Sequence, residues 1–182
     1  LSVLRILAIS GSLRRGSSNT AVLQAAAKLA PAGVAIEFYE GLAGLPAFNP
    51  DDDENPPPSV RAFRALLDAA DGVLISSPEY AHGIAGALKN ALDWVVGSSE
   101  FVDKPVALIN ASPRATIAQA SLTEILKTMS AVVVEDASIA MPLLGRNLAA
   151  DAIMADPELG HPLRDAIATL AAAAERVRAA AD

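Results

Sequence analysis

Apolar residues come in short bursts along this chain, separated by polar and turn-forming stretches. Leu4–Ile9 is one burst, and it stops at a Ser-Gly turn. A run this short and this continuously apolar suits a strand covered on both faces. From Thr20 to Ala30 the chain is alanine-rich with apolar residues at helical spacing, and Pro31 and Gly33 end the stretch. Val34–Tyr39 alternates as a second strand does. The segment "GLAGLPAFNPDDDENPPPSV" (41–60) breaks all periodicity and predicts a long loop. Long loops in compact domains tend to be functional or to face a partner. The pattern then predicts a helix over 59–70, a buried strand over 71–76 and a loop over 77–83. A helix over 84–95, a buried strand over 105–110 and a loop over 111–114 follow. The last expected elements are a helix over 117–129, a short fifth strand over 132–134 and an amphipathic helix over 161–180.

Strands that alternate with helices make an α/β domain with a parallel sheet. Right-handed crossovers then point to a doubly wound five-stranded sheet of order 2-1-3-4-5. Ligands of such sheets bind beyond the carboxyl ends of the strands, near the switch point. The loops after strands one, three and four are 11–18, 77–83 and 111–114. In this strand order they come from neighbouring strands, and three separate parts of the chain form one site.

Composition narrows the chemistry. With 182 residues, 52% of them hydrophobic and 19% charged, the chain fits one globular domain spanning 1–182. A net charge of −7 argues against nucleic acid or an anionic membrane as partner. It leaves anionic small molecules open, because those answer to local charge. The absence of cysteine removes disulfides, thiolate nucleophiles and cysteine metal sites together. His82 and His161 lie far apart, so no histidine metal site is expected. The opening residues lack the apolar core of a signal peptide, and no stretch is long enough to span a membrane. A cytoplasmic location is the expectation.

The first loop reads "ISGSLRRGSSNT" from Ile9 to Thr20. Backbone N–H groups at a helix N-terminus attract anions, and the helix dipole adds to the effect. Gly11 and Gly16 let the backbone turn tightly. Ser12, Ser17, Ser18 and Thr20 offer hydroxyls, Asn19 offers a helix cap, and Arg14 and Arg15 offer charge. The Gly-x-x-x-x-Gly spacing is that of a triphosphate loop, but Ser17 stands where the lysine belongs. Gly-x-Gly-x-x-Gly is absent as well. A terminal monophosphate is the ligand that remains, against the plainer reading of a solvated turn with ordinary capping.

Two motifs together resemble those of the NADPH-dependent FMN reductase-like family of the flavodoxin superfamily. Gly11, Ser12, Arg14, Ser17 and Asn19 stand in its phosphate-loop pattern. Pro78, Glu79 and Tyr80, then Gly86, Leu88, Lys89, Asn90, Ala91, Asp93 and Trp94, stand in its flavin-loop and helix pattern. The resemblance runs from about Leu4 to Val134. It implies a flavodoxin-like three-layer sandwich that binds FMN and takes electrons from NADPH or NADH. It also implies small-molecule electron acceptors, such as flavins, quinones, ferric chelates, chromate or azo dyes, reduced in a ping-pong cycle, and a homodimer or homotetramer. Two stretches depart from the family pattern. Ala81 stands where many members carry Asn after Pro-Glu-Tyr, and "NASPRATIAQAS" (110–121) replaces a glycine-rich third loop.

The cofactor residues implied in this way are Ser12, Arg14, Ser17, Ser18, Asn19, Thr20, Pro78, Glu79, Tyr80, His82, Gly83, Ser112 and Arg114. Hydride transfer needs alignment of donor and acceptor rather than a protein acid–base pair, so no catalytic acid or base is assigned. Arg114 is a candidate cation for the charge that reduction places on the flavin, with a surface arginine as the plainer reading. His82 is read either as a substrate contact or as a solvated loop histidine. Trp94 is read as a core or interface anchor, and Lys89 with Asp93 as an ion pair. Two other functions compete with the enzyme: a flavodoxin-type electron carrier and a non-catalytic flavin-binding regulatory module. The 4% aromatic content speaks for an open flavin face rather than the aromatic cover of a carrier.

Overall fold

The computed structural model describes residues 3–181. Its strands are β1 (Leu4–Ser10), β2 (Val34–Phe38), β3 (Gly72–Ser76), β4 (Glu79–Tyr80), β5 (Gly83–Ile84), β6 (Pro105–Asn110), β7 (Val132–Val133) and β8 (Ile139–Ala140). Its helices are α1 (Ser18–Leu29), α2 (Pro58–Asp68), α3 (Gly86–Asp93), α4 (Thr116–Thr128), α5 (Ala150–Ala155) and α6 (Pro157–Ala181). The main sheet runs β2-β1-β3-β6-β7, all parallel, which is the expected 2-1-3-4-5 order.

Side-chain alternation along β1 explains the two helical layers. Leu7 and Ile9 pack with Phe63 of α2, Leu88 and Leu92 of α3 and Leu126 of α4. Ile6 and Ala8 face the other way, onto Val22 and Ala26 of α1, Ile153 of α5 and Ile167 of α6. The two sets make the continuous apolar runs seen in the sequence, because both faces of each central strand are covered.

Four features differ from the expectations. Residues 79–84 form a tight antiparallel hairpin, β4–β5, where a loop was predicted. The fifth strand is split: β7 pairs with the start of β6 and β8 with its end. Ser138 patches the gap, since its Oγ accepts from Leu108 N–H at 3.1 Å and donates to Val134 C=O at 2.9 Å. Helix α5 was not foreseen. Helix α6 starts four residues before the expected 161, because Asp156 accepts from Glu158 N–H at 3.0 Å and Pro157 follows it as the first helical residue.

The long segment between β2 and α2 is anchored from α3. Asn90 Oδ1 accepts from Phe48 N–H and its Nδ2 donates to Pro46 C=O, both at 2.8 Å. The Trp94 indole N–H donates to the same carbonyl at 2.8 Å, and its ring meets Phe48 edge-on at 5.1 Å between centroids. Trp94 is 1% exposed, which settles it as a core anchor of the chain. Lys89 and Asp93 form the expected pair on the outer face of α3.

Asn90→Leu removes two hydrogen bonds to this segment and leaves a backbone N–H unpaired. The expected cost is about 2 kcal/mol. Denaturant unfolding checks the loss, and limited proteolysis should cut faster within residues 46–57.

Candidate active site

The first loop leaves β1 beside β3. Gly11 N–H donates to Ser76 C=O at 2.8 Å, which extends the β1–β3 ladder by one bond. A Cβ on Gly11 would lie 2.5 Å from Ser77 Oγ, 2.9 Å from its Cβ and 3.2 Å from Leu88 Cδ2. Only glycine lets the first two loops come this close. Gly16 then takes a left-handed turn, φ +67°, that points the chain into α1.

Helix α1 is capped by Ser17, whose Oγ accepts from Asn19 N–H at 3.2 Å. The cap expected from Asn19 is therefore supplied two residues earlier. Asn19 is 8% exposed, and its Oδ1 accepts from the Ser76 hydroxyl at 2.9 Å, tying α1 to the end of β3. The first turn of α1 carries no acidic residue, so its positive dipole end is free for an anion. Thr20 Oγ1 is bonded to Ser10 Oγ at 2.9 Å.

The second loop is the β4–β5 hairpin. Its two turn residues, Ala81 and His82, both have positive φ, +49° and +58°. This is the geometry of a tight hairpin turn that favours Asn-Gly. An asparagine at position 81, as in the related pattern, would answer this backbone demand, and Ala81 does not line the cleft. Glu79 turns inward from the same hairpin. Its Oε2 accepts from Ala118 N–H at 2.9 Å, and its Oε1 lies 3.3 Å from His82 Nδ1. Helix α4 has no cap of its own, and Glu79 supplies one from across the site.

The third loop is shaped by Asn110 at the end of β6. The side chain is buried, donates to Ala115 C=O at 3.0 Å and accepts from Ser112 N–H at 3.0 Å. Arg114 projects from this loop, exposed.

These three loops enclose a cleft of about 380 Å³. The first loop contributes Ser12, Arg14, Ser17, Ser18 and Asn19, the second Pro78, Glu79 and Tyr80, and the third Ser112 and Arg114. Ten of the thirteen residues named from the sequence are there. Thr20, His82 and Gly83 are not: Thr20 faces a neighbouring hollow, and His82 and Gly83 lie at the hairpin tip. The His82 side chain is 78% exposed. Asn110, Ser77, Ala111, Ala115 and Leu144 complete the lining and were not singled out from the sequence. A polar residue closing the apolar run "PVALIN" was the available signal for Asn110. Leu144 arrives from the segment after β8, which the sequence did not reveal as a strand.

Residues 4–143 match the sequence profile of the NADPH-dependent FMN reductases. The chain belongs to the NADPH-dependent FMN reductase family. It is 45% identical over 112 residues to an NAD(P)H-dependent FMN reductase of Pseudomonas aeruginosa, an alignment covering 60% of each chain. It is 42% identical over 112 residues to a 2-hydroxy-1,4-benzoquinone reductase of a Burkholderia species, covering 60% of this chain and 61% of that one. The chain thus spans about three fifths of the length of these curated relatives. Among solved structures, FerB, a flavoenzyme NAD(P)H:(acceptor) oxidoreductase from Paracoccus denitrificans, superposes with a TM-score of 0.77 at 26% identity. That match covers 96% of this chain and 98% of FerB, so the flavodoxin-like architecture extends over nearly all of both.

Family membership separates two kinds of motif residue in this chain. Ser12, Arg14, Ser17 and Asn19 of the first motif and Pro78, Glu79 and Tyr80 of the second reach the cleft. Asn90 and Trp94, equally diagnostic, lie behind it and hold the long loop. No group of residues suited to a metal ion occurs among the described residues.

Two substitutions test this construction. Gly11→Ala forces the first two loops apart and should cost about 1–3 kcal/mol of stability, read by thermal unfolding. Ala81→Asn relieves the left-handed backbone of the hairpin and should stabilise by about 0.5–1 kcal/mol. A lower unfolding midpoint for Ala81→Asn would mean that the alanine side chain is needed where it stands.

Proposed function

We propose that this chain is a single FMN-binding domain that acts as an NAD(P)H oxidoreductase, delivering two electrons to quinone or flavin acceptors in a ping-pong cycle. One observation carries the reading: the acid-free N-terminal end of α1, the Pro78–Tyr80 hairpin and the Arg114 loop, which leave neighbouring parallel strands, line one cleft. The donor set fits the cofactor. Hydroxyls of Ser12 and Ser18, the free dipole end of α1 and the Arg14 guanidinium suit a phosphomonoester. Pro78 shapes the slot without an N–H that would need a partner. A volume of about 380 Å³ is that of a small-molecule site.

Bound FMN would supply the hydride acceptor and the two-electron store. The protein's contribution is to hold and orient. Arg14 and the first-loop hydroxyls fix the phosphate end. Glu79 keeps the hairpin against α4 and so sets the width of the slot. Arg114 places positive charge at the wall opposite the phosphate end, where charge that develops on reduction is stabilised. Tyr80 is 56% exposed, so the hairpin leaves one side of the cleft open to a nicotinamide and then to an acceptor. Quinone acceptors are favoured by the relatives named as quinone reductases. A homodimer or homotetramer is part of the same proposal, and sedimentation of the FMN-loaded protein tests it.

Anaerobic titration of the FMN-loaded protein with NADPH and then NADH tests the function. Bleaching of the flavin band in one two-electron step is expected. Tight FMN binding with no bleaching by either donor would instead make the protein a carrier or a sensor. Arg14→Ala should weaken FMN binding by about tenfold or more, measured by fluorescence quenching. Arg114→Ala should lower the two-electron potential by about 30 mV. An unchanged potential would place Arg114 outside the redox site.

A further inference from the structure

The cleft is flanked from both faces of the sheet. On the face of α2, α3 and α4 stands the β4–β5 hairpin, which packs Ile84 against that layer and bonds Glu79 to the start of α4. On the face of α1, α5 and α6 stands the chain that follows β8. Its Met141 and Leu143 side chains are buried there among Val22 of α1, Ile153 of α5 and Ile167 of α6. Its backbone is bonded to the third loop: Met141 N–H donates to Asn110 C=O at 2.7 Å and Leu143 N–H to Ala111 C=O at 3.3 Å. A few residues on, Asn147, Leu148 and Ala149 line a neighbouring hollow of about 360 Å³ together with Arg15 and Gly16 of the first loop. The stretch 143–149 therefore runs from the third loop to the first, and Leu144 is the residue of it that lines the cleft.

Leu144 is held there by a built turn. Arg146 N–H donates to Leu143 C=O at 3.1 Å, which closes a four-residue turn with Leu144 and Gly145 at its corners. Gly145 has φ +76°, in the left-handed region that glycine enters without strain. The Arg146 guanidinium pairs with Asp156 at 3.0 Å, and Asp156 also caps the start of α6. A buried leucine on one side and an ion pair on the other thus fix a leucine that is itself 60% exposed. A lone apolar side chain on an open surface needs no reason. This one lines a cleft, on a turn fixed at both ends, and packing it against a ligand removes from water the apolar area it shows. Among the described residues lining the cleft, it alone lies beyond the span 4–143 that matches the family profile. We propose that Leu144 is a cofactor-binding residue: it packs on bound FMN from the side opposite the hairpin, and the turn 143–146 is the strap that slows the cofactor's release. The hairpin side then stays open to donor and acceptor. This inference rests on the reductase reading above and adds to it a contact from outside the two motifs.

Release of FMN from the loaded protein, followed by the return of flavin fluorescence after rapid dilution, tests the strap. Leu144→Ala should speed release by about tenfold. Its association rate and the unfolding midpoint of its apoprotein should match the wild type, because the side chain is exposed without a ligand. Leu144→Met, close to leucine in volume, should release FMN at nearly the wild-type rate. Arg146→Gln removes the ion pair and should speed release by up to about fivefold. Unchanged release from Leu144→Ala overturns the proposal while leaving the reductase reading intact. So does an equal rise of association and release with Kd unchanged, which would make the turn a gate and not a contact. Tight FMN binding without reduction by NADPH or NADH would refute the reductase reading alone, since the release rates report the contact whatever the flavin then does. A wild-type protein that takes up no FMN would overturn both.

Discussion

Strands β1 and β3 end side by side, and the first loop can turn away between them only because residue 11 has no side chain. The contact is close on three sides: the backbone bond from Gly11 to Ser76, the Ser77 side chain, and Leu88 behind it. From this point α1 is aimed with its N-terminus over the sheet, and the Asn19–Ser76 hydrogen bond fixes its rotation. The first-loop side of the cleft is therefore set by two central strands and not by the loop alone. The third loop needs Asn110 to hold its shape, and the hairpin needs Glu79 to hold its distance from α4.

Residues that identify the family in the sequence divide by mechanical role. Ser12, Arg14 and Ser17 offer donors to a ligand. Asn90 and Trp94 never reach the cleft; they clamp the backbone at Pro46 and Phe48. Both roles demand particular side chains. A loop with no regular structure must have its backbone groups satisfied from outside, and an amide with one donor end and one acceptor end does this for two peptide groups at once. A motif residue is thus not by itself a ligand contact.

The sheet order was legible because the central strands are apolar without interruption and the loops between them are not. The first loop was legible because glycines, hydroxyls and arginines cluster where a strand hands over to a helix. Less visible were features that depend on contacts distant in sequence. The β4–β5 hairpin has only four paired residues and a turn of Ala81 and His82, which carries no Asn-Gly signal. The split of the fifth strand shows only when Ser138 is seen bonded to Leu108 and Val134. Helix α5 is six residues long, too short for periodicity to declare it. One unforeseen stretch bears on the site: the chain between β8 and α5 carries Leu144 to the cleft and Asn147 to the hollow beside it.

The charge of the chain and the charge of its site have opposite signs, and the difference has a physical reading. Net charge acts over the whole surface and is screened within roughly 10 Å at moderate salt. A bound phosphate responds to the groups it touches. Arg14, Arg15 and Arg114 all lie on loops around the two hollows, while Glu79, the one acidic residue lining the cleft among the described residues, bonds the N-terminus of α4. The lining of the cleft thus carries positive charge on a chain whose net charge is −7. An electron carrier that docks on other proteins needs a charged rim around its flavin. Here the cleft lining carries the exposed apolar side chains of Tyr80 and Leu144 beside Arg14 and Arg114. An uncharged apolar surface of this kind lacks the complementary charge by which proteins steer one another.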